Sequence, residues 1–389
     1  MSGVANILGA DPRPRFFPVD AASLAPPPDR LGIAVRFAGR SLSVMQKEAL
    51  VVSSASGHVW RLVSDEGAYL DGADEAPCPL SFLTVGMVSM FFDEILALAA
   101  QRGIAVADIE LVQDNYYTMK GSALRGTMTG GARDVQLEAR IASDAEAGTL
   151  RALVCDAVAA APIHGLLRGE TDSLFTLTHN GARLAPDKAR PVPGHPVADL
   201  ADGLDGLAPA AGDWSCLIRR GGMSPKTDEA TSHQGSSLAE EQDRVLHVRG
   251  ICTLRDDGVK QVEQQLFNPH GSVFRFLSDE HGRAPDAASY IAAGIGFCFM
   301  TQLGRYAKIA RKDLRSYRVV QDLHMAPGGA TGGTGRAGTA DPVETHVFLD
   351  SAEDDAFARA ALDMGEQTCF LHALCRTDLR TRVRVTVVE

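Results

Sequence analysis

The most constraining feature of this sequence is that its second half repeats its first. The matching segments, in chain order, are HVWRLVSDE (58–66) with SVFRFLSDE (272–280), Gly86 with Gly294, VQD (112–114) with VQD (320–322), Val135 with Val343, Ser143 with Ser351, and HGL (164–166) with HAL (372–374). All pairs after the first share the spacing that separates 112 from 320. A single shared tripeptide arises readily by chance, but one spacing kept over several separated segments does not. We therefore predict a tandem duplication of one folding unit.

Length and local composition divide the chain into two domains and two connecting stretches. The 389 residues are enough for two or three domains. Residues 1–30 are rich in Pro and Ala and predict an extended N-terminal arm. Residues 184–242 form a low-complexity stretch that is too long for a loop within one domain. We therefore predict a first domain at 31–183, a linker at 184–242 and a second domain at 243–389.

Both predicted domains have the same order of elements. Each begins with strands of alternating polarity, continues with a long apolar helix, adds two further strands and closes with a shorter helix that starts at an Asp/Ser-rich cap. In the second domain the long helix is predicted over 286–311, and its first half is apolar nearly all round, which is typical of a buried helix. The predicted fold class is therefore α+β, with a strongly bent antiparallel sheet wrapped around a long central helix in each domain.

Charge and hydropathy limit the classes of function. A net charge of −11 without a basic stripe argues against nucleic acid as a partner. The most apolar stretch, 80–100, carries Asp93 and Glu94 in its middle, which indicates a buried globular helix and no membrane partner. The first residues lack the pattern of a secretion signal, so we expect a cytoplasmic protein whose seven cysteines are mostly thiols. No CxxC motif is present, and we expect no metal and no bound cofactor.

Two cysteines and an arginine of the second domain stand in a recognisable order. Cys298 follows an Ala-Ala-Gly stretch in the long helix, Cys369 begins CFLHAL after the second helix, and Arg275 lies in the FRF strand. In this order of parts the chain resembles the OsmC/Ohr family of small thiol peroxidases. The resemblance implies that Cys298 is the peroxidatic cysteine, Cys369 the resolving cysteine and Arg275 the activating arginine. Members of that family are intertwined homodimers, so it also implies that the two domains form an intrachain pseudo-dimer.

The sequence departs from the family pattern at four positions. They are Ala288 in place of the Glu ten residues before the reactive cysteine, Phe370 in place of the Pro after the resolving cysteine, and, in the first domain, Met90 opposite Cys298 and Ala161 opposite Cys369. The first domain does keep Arg61 opposite Arg275. Because the first domain lacks both thiols, the resemblance implies one competent site in each chain.

The expected chemistry depends on an ionised thiol. Burial on an apolar helix raises the pKa of a cysteine, so Cys298 needs a neighbouring cation, and the guanidinium of Arg275 is the candidate. Asp279 or Glu280 could orient it in place of the missing Glu. The thiolate would attack an organic hydroperoxide and become a sulfenic acid, and Cys369 would condense with it to a disulfide that an external dithiol reductant reopens.

Two other functions remain open at this point. Cys298 could act as a non-redox nucleophile on a small sulfur or carbonyl compound, or the chain could be a non-catalytic pseudo-dimer that binds a small hydrophobic molecule. A further association of two chains into a homodimer is also open.

Several residues have competing interpretations. Arg275 recurs as Arg61 where no thiols exist, so a structural salt bridge competes with catalysis, and Cys375 competes with Cys369 as the partner thiol. Four histidines, His164, His324, His346 and His372, could converge on a metal, although isolated histidines are more often structural. The glycine-rich run 328–338 lacks the Gly-Lys-Ser/Thr end of a phosphate loop and predicts a long flexible hairpin connection that could close over the site.

Overall fold

The computed structural model describes residues 6–43, 45–194, 197–226 and 236–388 and has a mixed α+β structure. Its α-helices are α1 (Ile7–Ala10), α2 (Pro79–Gln101), α3 (Ala147–Ala160), α4 (Ala287–Ala310), α5 (Asp355–Thr368) and α6 (Phe370–Cys375). Its strands are β1 (Phe17–Val19), β2 (Ile33–Ser41), β3 (Lys47–Ser53), β4 (Val59–Ser64), β5 (Asp108–Ser122), β6 (Thr129–Ala132), β7 (Val135–Ala142), β8 (Leu174–His179), β9 (Ala182–Leu184), β10 (Ile218–Met223), β11 (Glu241–Leu254), β12 (Lys260–Asn268), β13 (Ser272–Ser278), β14 (Leu314–Met325), β15 (Glu344–Ser351) and β16 (Thr381–Val388). The predicted α+β class is confirmed.

The strands form two large sheets, and each sheet takes strands from both halves of the chain. The first has the order β1-β4-β3-β2-β14-β15-β8-β9, and the second has the order β10-β13-β12-β11-β5-β7-β16 with β6 beside β5. The halves meet where Ala38 of β2 lies opposite Val320 of β14, and where Gly250 of β11 lies opposite Gln113 of β5. Each half therefore gives its first strands to a sheet that the other half completes. The domain boundaries proposed above stay a prediction.

The two long helices, α2 and α4, pack against each other in the centre of the molecule. A Cβ atom on Gly86 would lie 2.6 Å from the carbonyl oxygen of Ala287, and one on Gly294 would lie 2.7 Å from the backbone nitrogen of Leu83. Glycine at both positions therefore permits this close approach. Both helices are long and apolar enough to cross a membrane by composition alone, but 78% and 100% of their most apolar windows are buried inside the protein. They are core helices here, as predicted for 80–100.

The limits of α4 follow from its end residues. The carboxylate of Asp286 accepts a hydrogen bond from the backbone nitrogen of Ser289 at 2.6 Å and caps the N-terminus. Arg311 adopts the left-handed conformation, with φ at 54°, and ends the helix. Every side chain from Ala287 to Arg305 is buried, so even the polar residues of this stretch face the interior.

The predicted arm and linker pack onto the sheets wherever the structure describes them. β1 extends the first sheet along β4, and Phe17 is fully buried. β10 extends the second sheet along β13, and the ring of Trp214 packs edge-on against Trp60 at a centroid distance of 6.2 Å. The described parts of both stretches therefore belong to the folded structure, and their assignment as arm and linker stays a prediction. The remainder of both predictions lies outside the described residues, at 1–5, 195–196 and 227–235.

Candidate active site

Cys298 and Cys369 lie next to each other in the interior. Cys298 is in the buried middle of α4, and Cys369 is the residue between α5 and α6 that starts α6. Both are buried free thiols, and they are close enough for each to shift the pKa of the other. The two sulfurs that the resemblance placed in one site are therefore neighbours in space.

The surroundings make the two thiols unequal. Burial raises the pKa of Cys298 well above its usual value, and the neighbouring Cys369 raises it further. Burial also acts to raise the pKa of Cys369, but the thiol of Cys298 and the side chain and backbone amide of His372 outweigh it and hold this pKa well below its usual value. Cys369 is therefore the more acidic thiol of the pair.

Arg275 does not lie beside the thiols, contrary to the expectation from the sequence. Its neighbour Phe276 points to the helices and contacts the rings of Phe82 and Tyr290. Since side chains alternate along a strand, Arg275 points to the opposite face of the sheet. There its side chain is 49% exposed and forms an ion pair with Glu263 at 3.0 Å. The structural interpretation of this arginine, which the sequence left open, is the one that the geometry supports.

Arg61, at the matching position of the N-terminal half, is also a structural residue. It is 1% exposed, and its guanidinium bonds Glu48 at 2.7 Å and Asp11 of the arm at 3.1 Å. Arg61 therefore holds the arm against the first sheet.

Two charged residues near Cys298, Lys47 and Glu66, were not assigned by sequence reasoning. Lys47 is fully buried at the start of β3 and donates a hydrogen bond to the carbonyl oxygen of Met45 at 2.7 Å. Burial lowers its pKa, while nearby negative groups that include Glu66 and Cys298 oppose this. The sequence signal that could have identified Lys47 is its position at the start of the apolar strand KEALVVS.

Glu66 completes the polar part of the site from the same half. Its carboxylate accepts hydrogen bonds from the hydroxyl of Tyr69 at 2.8 Å and from Thr301 of α4 at 3.0 Å. Burial raises its pKa, and Lys47 opposes that rise. The site therefore combines thiols of the C-terminal half with a cation and an acid of the N-terminal half.

Asp279 and Glu280 do not orient a cation for Cys298, so that expectation was wrong. Asp279 forms an ion pair with Arg283 at 2.7 Å. Glu280 lies 3.3 Å from Lys260, which also forms an ion pair with Asp93 of α2. Both acids of this SDE motif are thus engaged elsewhere, and Glu66 of the other SDE motif reaches the thiols.

Lys260 and Lys47 occupy matching places in the two sheets. Lys47 pairs across its sheet with Ser64, and Lys260 pairs with Ser278, the serine at the same position of the repeated segment. Lys260 has the carboxylate of Asp93 as its partner, whereas Thr301 stands where the repeat would put that acid. Lys47 therefore has no carboxylate at ion-pair distance among the described residues, unlike Lys260.

The glycine-rich run 328–338 covers the part of the N-terminal half in which Met90 stands opposite Cys298. It connects β14 and β15, as predicted, but the carboxylate of Glu94 accepts hydrogen bonds from the backbone nitrogen of Ala330 at 2.5 Å and from the hydroxyl of Thr331 at 2.6 Å. The backbone of the run also bonds Ala160 at the end of α3 at 3.0 Å. It closes over the Met90 side of the molecule, so the proposal that it lids Cys298 was wrong.

A small cavity of about 30 Å³ adjoins Cys298. Volume of this order holds one or two water molecules. Its polar lining includes Glu66, Tyr69, Cys78, Arg244, Thr301, Gln302 and Arg305. Thr301, Gln302 and Arg305 follow Cys298 at the helical spacing that puts them on one face of α4. This spacing was a sequence signal for the pocket.

The other cysteines and the histidines form no second centre. Cys375 is buried, and burial raises its pKa to about 12, so it is a poor competitor for the role of Cys369. Cys78, which the sequence gave no context, lines the cavity, and burial raises its pKa to about 11. Across the described residues, no three His, Cys, Asp or Glu side chains are grouped in a way that could hold a metal ion.

Comparison with known proteins identifies part of the chain. Residues 280–384 match the family model described as OsmC-like protein, so the C-terminal half contains an OsmC-like domain, as the resemblance predicted. For the N-terminal half the resemblance stays a prediction. Among solved structures, the chain is similar to an OsmC-like hydroperoxide resistance protein from Jannaschia sp. CCS1, with 21% sequence identity and a TM-score of 0.20. The match covers 29% of this chain and 75% of that protein. No curated protein matches the chain.

Proposed function

We propose that this chain, whose residues 280–384 form an OsmC-like domain, is a thiol-dependent peroxidase that reduces an organic hydroperoxide at Cys298 and uses Cys369 as the resolving thiol. A peroxidase-type role fits an OsmC-like domain. The observation that carries the proposal is the pair of buried, mutually interacting thiols beside a cavity that Cys298 lines. Two thiols in contact can close a disulfide without a large movement of the backbone.

In the first step Cys369 acts on Cys298 as a base. The thiolate of Cys369 accepts the proton of Cys298, and the sulfur of Cys298 attacks the outer oxygen of the hydroperoxide. The O–O bond breaks, Cys298 becomes a sulfenic acid, and the leaving alkoxide takes the proton and departs as an alcohol. Cys369 is then a thiolate again.

In the second step the pair forms a disulfide. The thiolate of Cys369 attacks the sulfur of the sulfenic acid, and hydroxide leaves and becomes water with a proton from the solvent. An external dithiol then reduces the disulfide by exchange through a mixed disulfide. The acidity of Cys369 suits the second step, because it keeps this thiol in the nucleophilic thiolate form.

Lys47 takes the electrostatic role that the resemblance assigned to Arg275. A positive charge near the two thiols favours their anionic form. Lys47 is the buried basic residue whose pKa Cys298 acts to raise, so the two groups interact. The negative charge of Glu66 raises the pKa of Cys298. The pKa of Glu66 is itself raised, which favours its protonated form, and in that form Glu66 has less effect on Cys298. Ala288 is then no obstacle to activity, since Arg275 and its missing carboxylate partner are not part of the site.

We also propose that the chain arose by tandem duplication, with one competent site and one that has lost its thiols. Met90 and Ala161 occupy the positions opposite Cys298 and Cys369, and the two sheets have corresponding strand orders. A cytoplasmic location would supply the reducing dithiol.

The test is peroxide consumption by the full chain with dithiothreitol as reductant. Cys298→Ser should abolish turnover. Cys369→Ser removes both the base and the resolving thiol, so its turnover should be slowed, and with peroxide but no reductant it should leave a sulfenic acid on Cys298, which dimedone and mass spectrometry detect. Cys375→Ser is the matched control and should turn over at the unaltered rate. Continued turnover in Cys298→Ser, or an unaltered rate in Cys369→Ser, would contradict the proposal.

A further inference from the structure

Two arginines at the cavity have no acidic partner. Arg305 of α4 is 2% exposed, and Arg244 of β11 is largely buried beside it. Neither forms an ion pair with a carboxylate in the described part of the chain. Buried guanidinium groups without a counter-ion are costly, and in folded proteins they are ordinarily paired.

The same serine holds both guanidinium groups in place. Nε of Arg305 donates to the carbonyl oxygen of Ser237 at 2.7 Å, and Nη1 of Arg244 donates to the hydroxyl of Ser237. Two buried nitrogens then remain without a hydrogen-bond partner among the described residues, Nε of Arg244 and Nη2 of Arg305. A guanidinium that is held by some of its N–H groups while another N–H group is unbonded is typical of a site that binds a hydrogen-bond acceptor.

The positive charges of Arg244 and Arg305 are not balanced by a carboxylate partner among the described residues. Burial and the nearby charge of Arg244 together lower the pKa of Arg305 to about 9, with no opposing acid. Burial lowers the pKa of Arg244 to about 10, against Tyr69 and Glu66. Both groups remain cationic at neutral pH, and an anion between them would relieve their repulsion.

These arginines accompany the thiols. The position opposite Arg305 in the repeat is Ala97, just as Met90 stands opposite Cys298. Arg305 lies two helical turns after Cys298 on the same face of α4, and helical side chains lean toward the N-terminus, so its guanidinium reaches back toward the thiol. The cationic pair and the reactive sulfur therefore occur together at one cavity.

From these contacts we infer that the cavity binds an anionic substrate, a small hydroperoxide that carries a carboxylate, with the carboxylate on Arg244 and Arg305 and the peroxide at Cys298. The inference rests on the proposed function for the chemistry at Cys298, but the anion site itself does not depend on it. Arginine suits a carboxylate because its planar fork donates two parallel hydrogen bonds. The cavity of about 30 Å³ limits the substrate to a few carbon atoms, and the side chains that line it must move apart to admit even these.

The first measurement compares two matched substrates on the unmodified protein. They are tert-butyl hydroperoxide and 3-hydroperoxy-3-methylbutanoate, which differ only in that the second has a carboxylate group in place of one hydrogen atom. We expect kcat/KM to be at least tenfold higher for the carboxylate, with the advantage reduced by 0.5 M NaCl. Equal values, or a preference for the neutral compound, would overturn the inference.

The second measurement uses Arg305→Gln, with Arg315→Gln as a control that removes an exposed arginine remote from the cavity lining. The ratio of kcat/KM for the two substrates should fall about tenfold in the first variant and stay unchanged in the second. Should Arg305→Gln fail to fold, Arg244→Gln supplies the same comparison. An unchanged ratio in a folded cavity variant would refute the assignment.

Acetate binding separates this inference from the proposed function. Acetate titrated into the reduced protein should raise its Tm in a saturable manner, and the rise should be lost in Arg305→Gln. If no hydroperoxide is reduced but acetate still binds through these arginines, the peroxidase proposal fails and the anion site stands. If hydroperoxides are reduced without acetate binding or a carboxylate preference, the anion site fails and the peroxidase proposal stands.

Discussion

Replacing Lys47 with methionine tests the electrostatics of the site most directly. Lys47 is fully buried, has a single hydrogen bond to Met45 at 2.7 Å and no carboxylate within ion-pair distance among the described residues. Methionine has nearly the same length and volume but no charge. The change therefore removes a cation from beside Cys298 with little effect on packing.

The expected effect on the thiols is about tenfold. An opposite charge within about 4–6 Å shifts a pKa by roughly 1–3 units, and Glu66 offsets part of the effect of Lys47, so we take about 1 unit. Losing the cation raises the pKa of the thiol pair by that amount, which is about 1.4 kcal/mol against the thiolate. The rates of peroxide reduction and of alkylation by iodoacetamide at pH 7 should both fall about tenfold.

The expected effect on stability has the opposite sign. A buried lysine without an ion-pair partner costs free energy of folding, so Lys47→Met should leave the free energy of unfolding unchanged or raise it. Lys260→Met is the matched control at the corresponding position of the other half, where the neighbouring thiol is Cys252. It leaves the partly buried Asp93 without Lys260 and should cost about 2 kcal/mol, while alkylation of Cys298 and Cys369 stays the same.

The assays are alkylation followed by mass spectrometry and unfolding in urea, on both variants and the unmodified protein. The reasoning is refuted if Lys47→Met alkylates as fast as the unmodified protein, or if it loses stability like Lys260→Met. Either result would mean that Lys47 is a structural residue whose charge does not reach the thiols.

The matching arginines of the two halves should respond differently to the same change. Arg61→Gln breaks a buried ion pair with Glu48 and should lower the free energy of unfolding by about 3 kcal/mol, whereas Arg275→Gln should cost less than about 1 kcal/mol and change turnover less than twofold; urea unfolding and peroxide consumption measure both. A tenfold loss of turnover in Arg275→Gln would restore the role that the sequence suggested. Cys298→Ala removes the thiol that lowers the pKa of Cys369, so the midpoint of alkylation of Cys369 should move to higher pH. A midpoint that stays in place would show that Cys298 does not stabilise this thiolate.

The strand and helix content could be predicted closely from the sequence, because it depends on local patterns. The long helix expected over 286–311 runs from Ala287 to Ala310, and the strand expected in KQVEQQLF is Lys260–Asn268. Caps, alternation of polarity and long apolar runs act over a few residues, so they can be recognised without a partner. The same holds for the identity of the two cysteines, whose placement along the chain carried the resemblance.

The cation of the site was beyond such reasoning. Arg275 and Arg61 share one position in the repeat, yet one lies exposed on Glu263 and the other is buried under the arm. Which face of a strand a side chain occupies, and what then covers it, depends on segments far away in the chain. Sequence position alone therefore assigned the cation to the wrong residue.

The sequence by itself determined the repeated architecture's local elements, the thiols that one half has and the other lacks, and the burial of two long apolar helices. Only the tertiary structure decided that Lys47 and Glu66 of one half stand beside Cys298 of the other, and that Arg244 and Arg305 share a cavity with it. The physical reason is the exchange of strands between the two sheets. It brings together side chains that no local pattern connects, and the charges that tune a thiol act through space and not along the chain.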